Sequence, residues 1–237
     1  GLDNQFSLDW SGYFIDLVAL SLVSDSMIMS EMENREYYHF GLETRDCVNN
    51  EFLGAMIDRF IGSDTYTQRD LGFKIIPKLN SVCRCNDVEL KQHLILAFIG
   101  QCDINETLDM VEQAHQNQIK IVDDVIQNNM DTILSCGQNN LIVFASDDVP
   151  RSYSGLLAGK IKTLCDNKPT IVGSIKDDIM IGSLRSPIPL REELDNNELV
   201  DWASGHEESC GVQIQVDNIQ ALVDYYNTIE ISYTPHI

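Results

Sequence analysis

Positive charge is what this chain most lacks. Its 237 residues carry 16 Lys and Arg against 37 Asp and Glu, a formal net charge of −21, and a cut at residue 134 leaves neither part basic. Sequence-independent binding of nucleic acid normally rests on a broad positive field. The composition excludes a binder of that kind, so any phosphate contact must be local, made by a few cations gathered within an acidic body. The chain also lacks an apolar run of the roughly 18–20 residues that a membrane span needs, so no membrane partner is expected, and no signal peptide is read. Its seven cysteines have no framework spacing. The nearest pair, Cys83-Arg84-Cys85, is not a Cys-x-x-Cys, and no second pair completes a zinc site. Buried, reduced thiols and a cytoplasmic location are the expectation. Low-complexity tracts and internal repeats are missing too.

What is present has the balance of a globular protein, with 43% apolar and 22% charged residues, and is long enough for two modest domains. The near-continuous apolar run from Trp10 to Val23, broken by Asp16, reads as a buried helix. Helical spacing predicts further helices over Asn34 to Thr44, Phe52 to Ile61 and Val88 to Ile99. A long one follows, its stripe Ile104, Leu108, Val111, His115, Ile119, Val122, Ile126, Met130 and Ile133 running for about thirty residues, with Asp103 or Asn105 to cap it. That length suits a connector between domains. His115 lies on the stripe and reads as a half-buried packing residue. His39, His93 and His236 read as structural or surface groups.

After residue 135 the texture changes. Strands are predicted at Leu141–Ala145, Pro169–Gly173, Ile179–Leu184, Val212–Val216 and Ile229–Tyr233, with a hairpin-like turn at Lys176-Asp177-Asp178. Helices are predicted at Gly155–Cys165, Glu192–Trp202 and Asn218–Tyr226, the last capped by Asp217. The fold class expected is α/β (α+β): a helical segment and a long connector helix, then a small mixed-sheet domain.

Four stretches invite a chemical reading. Gly182-Ser183-Leu184-Arg185-Ser186 ends a strand. About twenty residues on, Ser204-Gly205-His206-Glu207-Glu208-Ser209-Cys210-Gly211 reads as a small-residue turn between a helix and a strand. Arg offers a planar fork of donors that matches phosphate oxygens, and small residues let backbone amides approach an anion. Ser183, Arg185, Ser186, Gly205 and His206 are therefore candidates for binding a phosphate group. Next, a helix is expected to break at Pro77, and the loop after it gathers Lys78, Asn80 and Arg84 in a chain short of cations. Finally, Asp25 follows a long apolar run. It is either a turn Asp at a helix end or a carboxylate set at the edge of a core to bind a divalent cation.

These stretches resemble a known family. The first two resemble the Gly-Ser-x-Arg-Ser and Gly-Gly-His-x-x-Ala-Ala-Gly signatures of the DHH-associated domain, the C-terminal half of the DHH phosphoesterase superfamily. Ser204 stands for the first Gly of that pair and Ser209-Cys210 for Ala-Ala. Gly155-Leu156-Leu157-Ala158-Gly159-Lys160-Ile161 is similar to the Gly-Leu-Val-Ala-Ser-Arg-Leu helix of the same domain. Residues 16–25 resemble the Asp-Leu-Val-Ala-Leu-Gly-Thr-Val-Ala-Asp stretch of RecJ-type single-strand-specific exonucleases, whose last Asp is a metal ligand. Residues 72–84 resemble the Gly-Phe-x-Leu-x-Pro-Arg-Leu-Asn-Ala-Ala-Gly-Arg motif of those enzymes, which contacts DNA. Asn80 and Arg84 match there, with Lys78 for Arg and Cys83 for Gly.

The resemblance runs in family order from about Tyr13 to Val216. It implies the C-terminal part of a single-stranded-DNA-specific exonuclease, a hydrolase of phosphodiester bonds that works with two Mn²⁺ or Mg²⁺ ions. Residues 1–30 would then be a remnant of the catalytic DHH domain, residues 31–134 a helical region with the connector, and residues 135–237 the DHH-associated domain. The implied roles are Asp25 on metal and Asn80, Arg84, Ser183, Arg185, Ser186, Gly205 and His206 on single-stranded DNA. The family's Asp-x-Asp and Asp-His-His motifs do not occur in this chain. A DHH domain in cis or in trans is therefore the expected partner, and the chain alone is expected to be inactive. Two alternatives stand beside this: a non-catalytic nucleic-acid-binding module, and a phosphodiesterase of the same superfamily acting on oligonucleotides or cyclic dinucleotides.

Overall fold

The computed structural model describes residues 12–229. The start of the apolar run at Trp10, His236 and most of the strand expected at Ile229–Tyr233 lie outside the described residues. The chain divides into two compact units, one up to Gln118 and the other from Ile119.

The first unit is helical. Its elements are α1 (Ile15–Ser24), α2 (Met32–Leu42), α3 (Glu51–Phe60), a helical tract from Gln68 that ends in α4 (Ile76–Arg84), and α5 (Val88–Phe98). Next comes α6 (Ile104–Asn128), which runs on past Gln118. Asp103 starts α6 by accepting the Glu106 N–H at 2.8 Å, as a helix-capping carboxylate does. The core is built from Leu42, Phe52, Leu53, Met56, Ile57, Leu71, Ile75, Val82 and Val111, all fully buried.

One buried charge organises the start of this unit. Asp16 is 0% exposed, and its carboxylate accepts the Leu17 N–H at 2.8 Å and the Asn50 N–H at 2.7 Å. Asn50 in turn caps α3 by accepting the Leu53 N–H, and donates its amide to the Phe98 carbonyl at 2.8 Å. The residue that interrupts the apolar run is thus the pin holding α1, the start of α3 and the end of α5 together.

The break expected at Pro77 does not occur. Residues 68–84 stay helical through a π-helical turn over Leu71–Ile75. There the Ile76 N–H bonds to the Leu71 carbonyl, five residues back instead of four. The wider turn takes up one residue, and Pro77, with no N–H to give, falls at the start of α4, where the missing donor costs least. Lys78, Asn80 and Arg84 therefore stand on a helix, not in a loop.

The second unit holds a short helix α7 (Met130–Cys136), then β1 (Ile142–Ala145), α8 (Ser154–Leu164), β2 (Thr170–Lys176), β3 (Ile179–Arg185), α9 (Arg191–Asp195), β4 (Trp202–His206), β5 (Ser209–Gln215) and α10 (Ile219–Thr228). The sheet order is β1-β2-β3-β5-β4. β1 and β2 are parallel and the remaining pairs antiparallel. This is the mixed α/β sheet that the sequence led us to expect, with one strand more than predicted within residues 190–216. The helix expected over Glu192–Trp202 is only Arg191–Asp195, and the small-residue turn is a hairpin of β4 and β5 closed by Glu207-Glu208. Asp217 does not cap α10; it lies in a short 3₁₀ turn, Val216–Asn218, ahead of it.

Strand alternation assigns the two sheet faces. Ile171, Met180, Leu184, Val212 and Ile214 point into a core shared with Leu194, Leu222, Val223 and Tyr226. Ile142, Phe144 and Val172 point the other way, against Leu157, Ala158 and Ile161 of α8 and against Val122, Val125 and Ile126. On that second face α8 packs on β2 and β3. Over β4 and β5, the residues of the same face are exposed or half-buried.

Candidate nucleic-acid interface

The pairing registers decide which side chains share a face. Ser183 on β3 stands opposite Val172 and Gly211, and Gly211 opposite Ser204. Ser183, Gly211 and Ser204 therefore form one row on the α8 face. The register between β3 and β5 carries on as far as the Ser186 N–H, which bonds to the Glu208 carbonyl at 2.9 Å. It sets Arg185 opposite Ser209, which pairs with His206. Arg185, Ser209 and His206 form the next row. Adjacent strands are about 4.8 Å apart, so the Cα atoms of Arg185 and His206 lie about 10 Å apart on the same face. The two motifs, twenty residues apart in the chain, thus meet on one surface.

Each side chain there is positioned by something specific. The Arg185 guanidinium donates to the Leu184 carbonyl at 2.7 Å. It lies over Gly155 at the start of α8, where an added Cβ would come within 2.7 Å of an Arg185 nitrogen and 3.6 Å of the Ser183 hydroxyl. Gly155 thus leaves the space that brings a guanidinium, a hydroxyl and the positive end of a helix dipole together. Ser183 shares a 2.9 Å hydroxyl–hydroxyl hydrogen bond with Ser154, which is buried and also donates to the Arg151 carbonyl. Gly205 sits at φ +136, which L side chains rarely adopt, and an added Cβ would meet Cys210 Cα at 3.0 Å. A glycine is therefore required for the hairpin to present His206, which is exposed.

Ser186 is placed differently. It is 6% exposed, and its hydroxyl accepts the Ile188 N–H at 3.1 Å, fixing the turn that leaves β3. The hairpin turn is anchored from below. Leu190 and Arg191 donate their N–H groups to the Glu207 carbonyl, and the Arg191 guanidinium pairs with the Glu207 carboxylate. That contact holds the Glu207 acid below its ordinary range.

In the first unit, Asn80 and Arg84 are four residues apart on α4 and share a helix face. Both are half-buried. Lys78 is on another side of the helix, its ammonium 4.4 Å from the Phe60 ring centroid in a cation–π contact. Asn80 lines a cleft of about 340 Å³ with Leu17, Leu20, Ser21, Ser24, Ile76 and Phe98. Ser24 directly precedes Asp25, so the end of α1 and the α4 face meet at one cleft. Asp25 itself is exposed and follows α1 directly. Among the described residues, no three His, Cys, Asp or Glu side chains gather so as to hold a metal ion. The donor set present here does not by itself fit a two-ion centre, which needs several carboxylate or imidazole ligands for each pair of ions.

Sequence reasoning missed Ser154, Gly155 under Arg185, and Trp202, which it placed at a helix end. The Gly at the head of a predicted helix was the available signal for Gly155. Trp202-Ala203-Ser204-Gly205-His206 has no β-branched residue and a single small inward position, so it gives almost no strand signal.

No protein-family model matches the chain. An SPbeta prophage-derived protein of Bacillus subtilis, provisionally named a single-strand DNA-specific exonuclease, is 21% identical over 250 residues, covering 92% of this chain and 42% of that protein. The single-stranded-DNA-specific exonuclease RecJ of Bacillus subtilis is 24% identical over 225 residues, covering 91% and 28%. Among solved structures, RecJ of Thermus thermophilus in complex with Mn²⁺ superposes with a TM-score of 0.73 at 17% identity, over 95% of this chain and 33% of that one. Exonuclease RecJ bound to manganese gives a TM-score of 0.72 at 16% identity, over 98% and 60%. The chain spans less than half the length of the curated relatives it matches.

Proposed function

We propose, on the premise that this chain is related over most of its length to part of the RecJ-type single-strand-DNA-specific exonucleases, that it is the DNA-holding portion of such a nuclease. Arg185 and Ser183, on the positive end of α8, bind one backbone phosphate, and His206 binds a phosphate beside it. Asn80 and Arg84 hold the strand from α4, and Asp25 gives one ligand to a divalent-ion centre that a DHH-type domain, in cis or in trans, completes. The observation that carries this is the sheet register, which sets Arg185 and His206 in one row on one face. The acidic balance of the chain supports a localised grip of this kind over a diffuse one. Glu207 and Glu208, in the turn beyond His206, would repel a phosphate on that side and leave open the space between His206 and Arg185.

The test is fluorescence anisotropy of a labelled oligothymidylate across a salt series. Arg185→Ala is expected to weaken binding about tenfold, uniformly across sequences, and to reduce the salt slope by about one. Arg185→Lys is expected to fall between, because an ammonium keeps the charge but not the planar fork. Unchanged affinity and slope in Arg185→Ala would overturn the assignment.

A further inference from the structure

The same sheet face carries an aromatic group that phosphate binding does not use. Trp202 begins β4, the edge strand, and stands opposite Gln213 on β5. Its indole N–H donates to the Gln213 amide oxygen at 3.1 Å, and Gln213 in turn donates to the Asp201 carboxylate at 3.1 Å. The ring is thereby turned toward Gly211: a Cβ added there would meet two indole carbons at 3.2 and 3.4 Å. So the six-membered ring lies over a position that has no side chain, held by a hydrogen bond at its polar edge, while 36% of the residue stays exposed. An indole fixed in place and open to solvent has already lost the rotamer freedom that stacking would otherwise cost. Trp202 also shares its face with the candidate clamp. Gly211, beneath the ring, is opposite Ser183 and Ser204, and Trp202 lies four residues from His206, about 13 Å along the strand.

We infer that Trp202 is a stacking platform for a nucleobase of the bound single strand, so that this face reads bases as well as phosphates. The inference rests on the phosphate-clamp reading of Arg185 and His206. Every base has a π-face, so the platform would tighten binding with little sequence preference, and it would discriminate against anions that carry no base. The Asp201 carboxylate is tied down at the edge of the platform by the Gln213 and Gln215 amides, at 3.1 and 2.8 Å.

The experiment uses the whole chain with Trp10→Phe, which leaves Trp202 as the only tryptophan, since the sequence has two. Its emission is followed during titration with an oligothymidylate and with an abasic oligomer of the same length. The expected result is quenching by the oligothymidylate and none by the abasic strand. In the anisotropy assay, Trp202→Ala should weaken oligothymidylate binding about tenfold while leaving abasic binding and the salt slope unchanged, and Trp202→Phe should recover most of the loss. Binding of both oligomers with unquenched emission, or equal losses for the two in Trp202→Ala, would overturn the platform and leave the clamp standing. If neither oligomer binds the unaltered chain, the clamp reading falls and the platform with it.

Discussion

Single residues with no backbone or side-chain freedom to spare carry much of this structure. Asp16 is the clearest case. A fully buried carboxylate is costly unless its oxygens are satisfied, and here two backbone N–H groups, of Leu17 and Asn50, satisfy them. Asp16→Ala would remove a charge-assisted acceptor and leave the Asn50 N–H without its partner in a buried site. A loss of about 3 kcal/mol in urea unfolding is expected, with a smaller loss for Asp16→Asn, which keeps an acceptor oxygen. A loss below about 0.5 kcal/mol for Asp16→Ala would refute the pin. The sequence displayed this residue openly, as the one charge in a long apolar run. What it could not display was Asn50, thirty-four positions away, whose N–H takes the carboxylate. Gly205 is legible in the same limited way: a glycine before His206 marks a special backbone, but only the fold supplies its reason, the nearby Cys210 Cα.

At the scale of elements, periodicity was a good guide where an element buries one clean face and a poor one elsewhere. The amphipathic α3 was predicted almost to its ends and α6 from its start, because their apolar stripes face cores, but the stripe read as one helix through Ile133 is interrupted at Asn129, and Met130 and Ile133 belong to α7. β4 was misread, as a helix end at Trp202 and a small-residue turn from Ser204, because it is an edge strand with one side exposed, so it needs no apolar alternation. Pro77 misled for a different reason. Its rule concerns a missing donor and a steric clash in a regular helix, and a π-helical turn changes which carbonyl lies beneath the proline. The packing of α1 on α2 rests on a similar local accommodation. A Cβ at Gly41 would sit 2.6 Å from the Ile15 carbonyl oxygen and 2.9 Å from Asp16 Cα. Since the obstacle is backbone, the two helices would have to separate. Gly41→Ala is therefore expected to lower stability by about 2 kcal/mol, despite alanine's better helix propensity, which alone would raise it by up to about 1 kcal/mol. Thermal unfolding of the variant decides the sign, and a raised midpoint would show that the helices can part without cost.

For the whole molecule, the question is what a chain with the proposed grip but only these carboxylates can do alone. Two-ion hydrolysis needs cations about 4 Å apart, each held by several oxygen or nitrogen ligands. Asp25 is one exposed carboxylate, and the chain has no Asp-x-Asp and no Asp-His-His. Two of the adjacent Asp pairs are engaged otherwise: Asp123 is bound to Lys160 at 2.7 Å, and Asp177 and Asp178 form the β2–β3 turn with φ values of 50° and 60°. A lone carboxylate at the surface holds a divalent ion too weakly to place a second beside it or to lower the pKa of its water. The 237-residue chain, incubated with labelled single-stranded DNA and Mn²⁺, is thus expected to retain the strand and leave it uncut. Adding a DHH-type domain that carries the missing motifs should bring cutting, and Asp25→Ala should then reduce it at least a hundredfold while oligothymidylate binding stays within about twofold. Turnover by the chain alone that depends on Mn²⁺ and vanishes in Asp25→Ala would reject this division of labour, since the ligands for both ions would then have to lie within the chain itself.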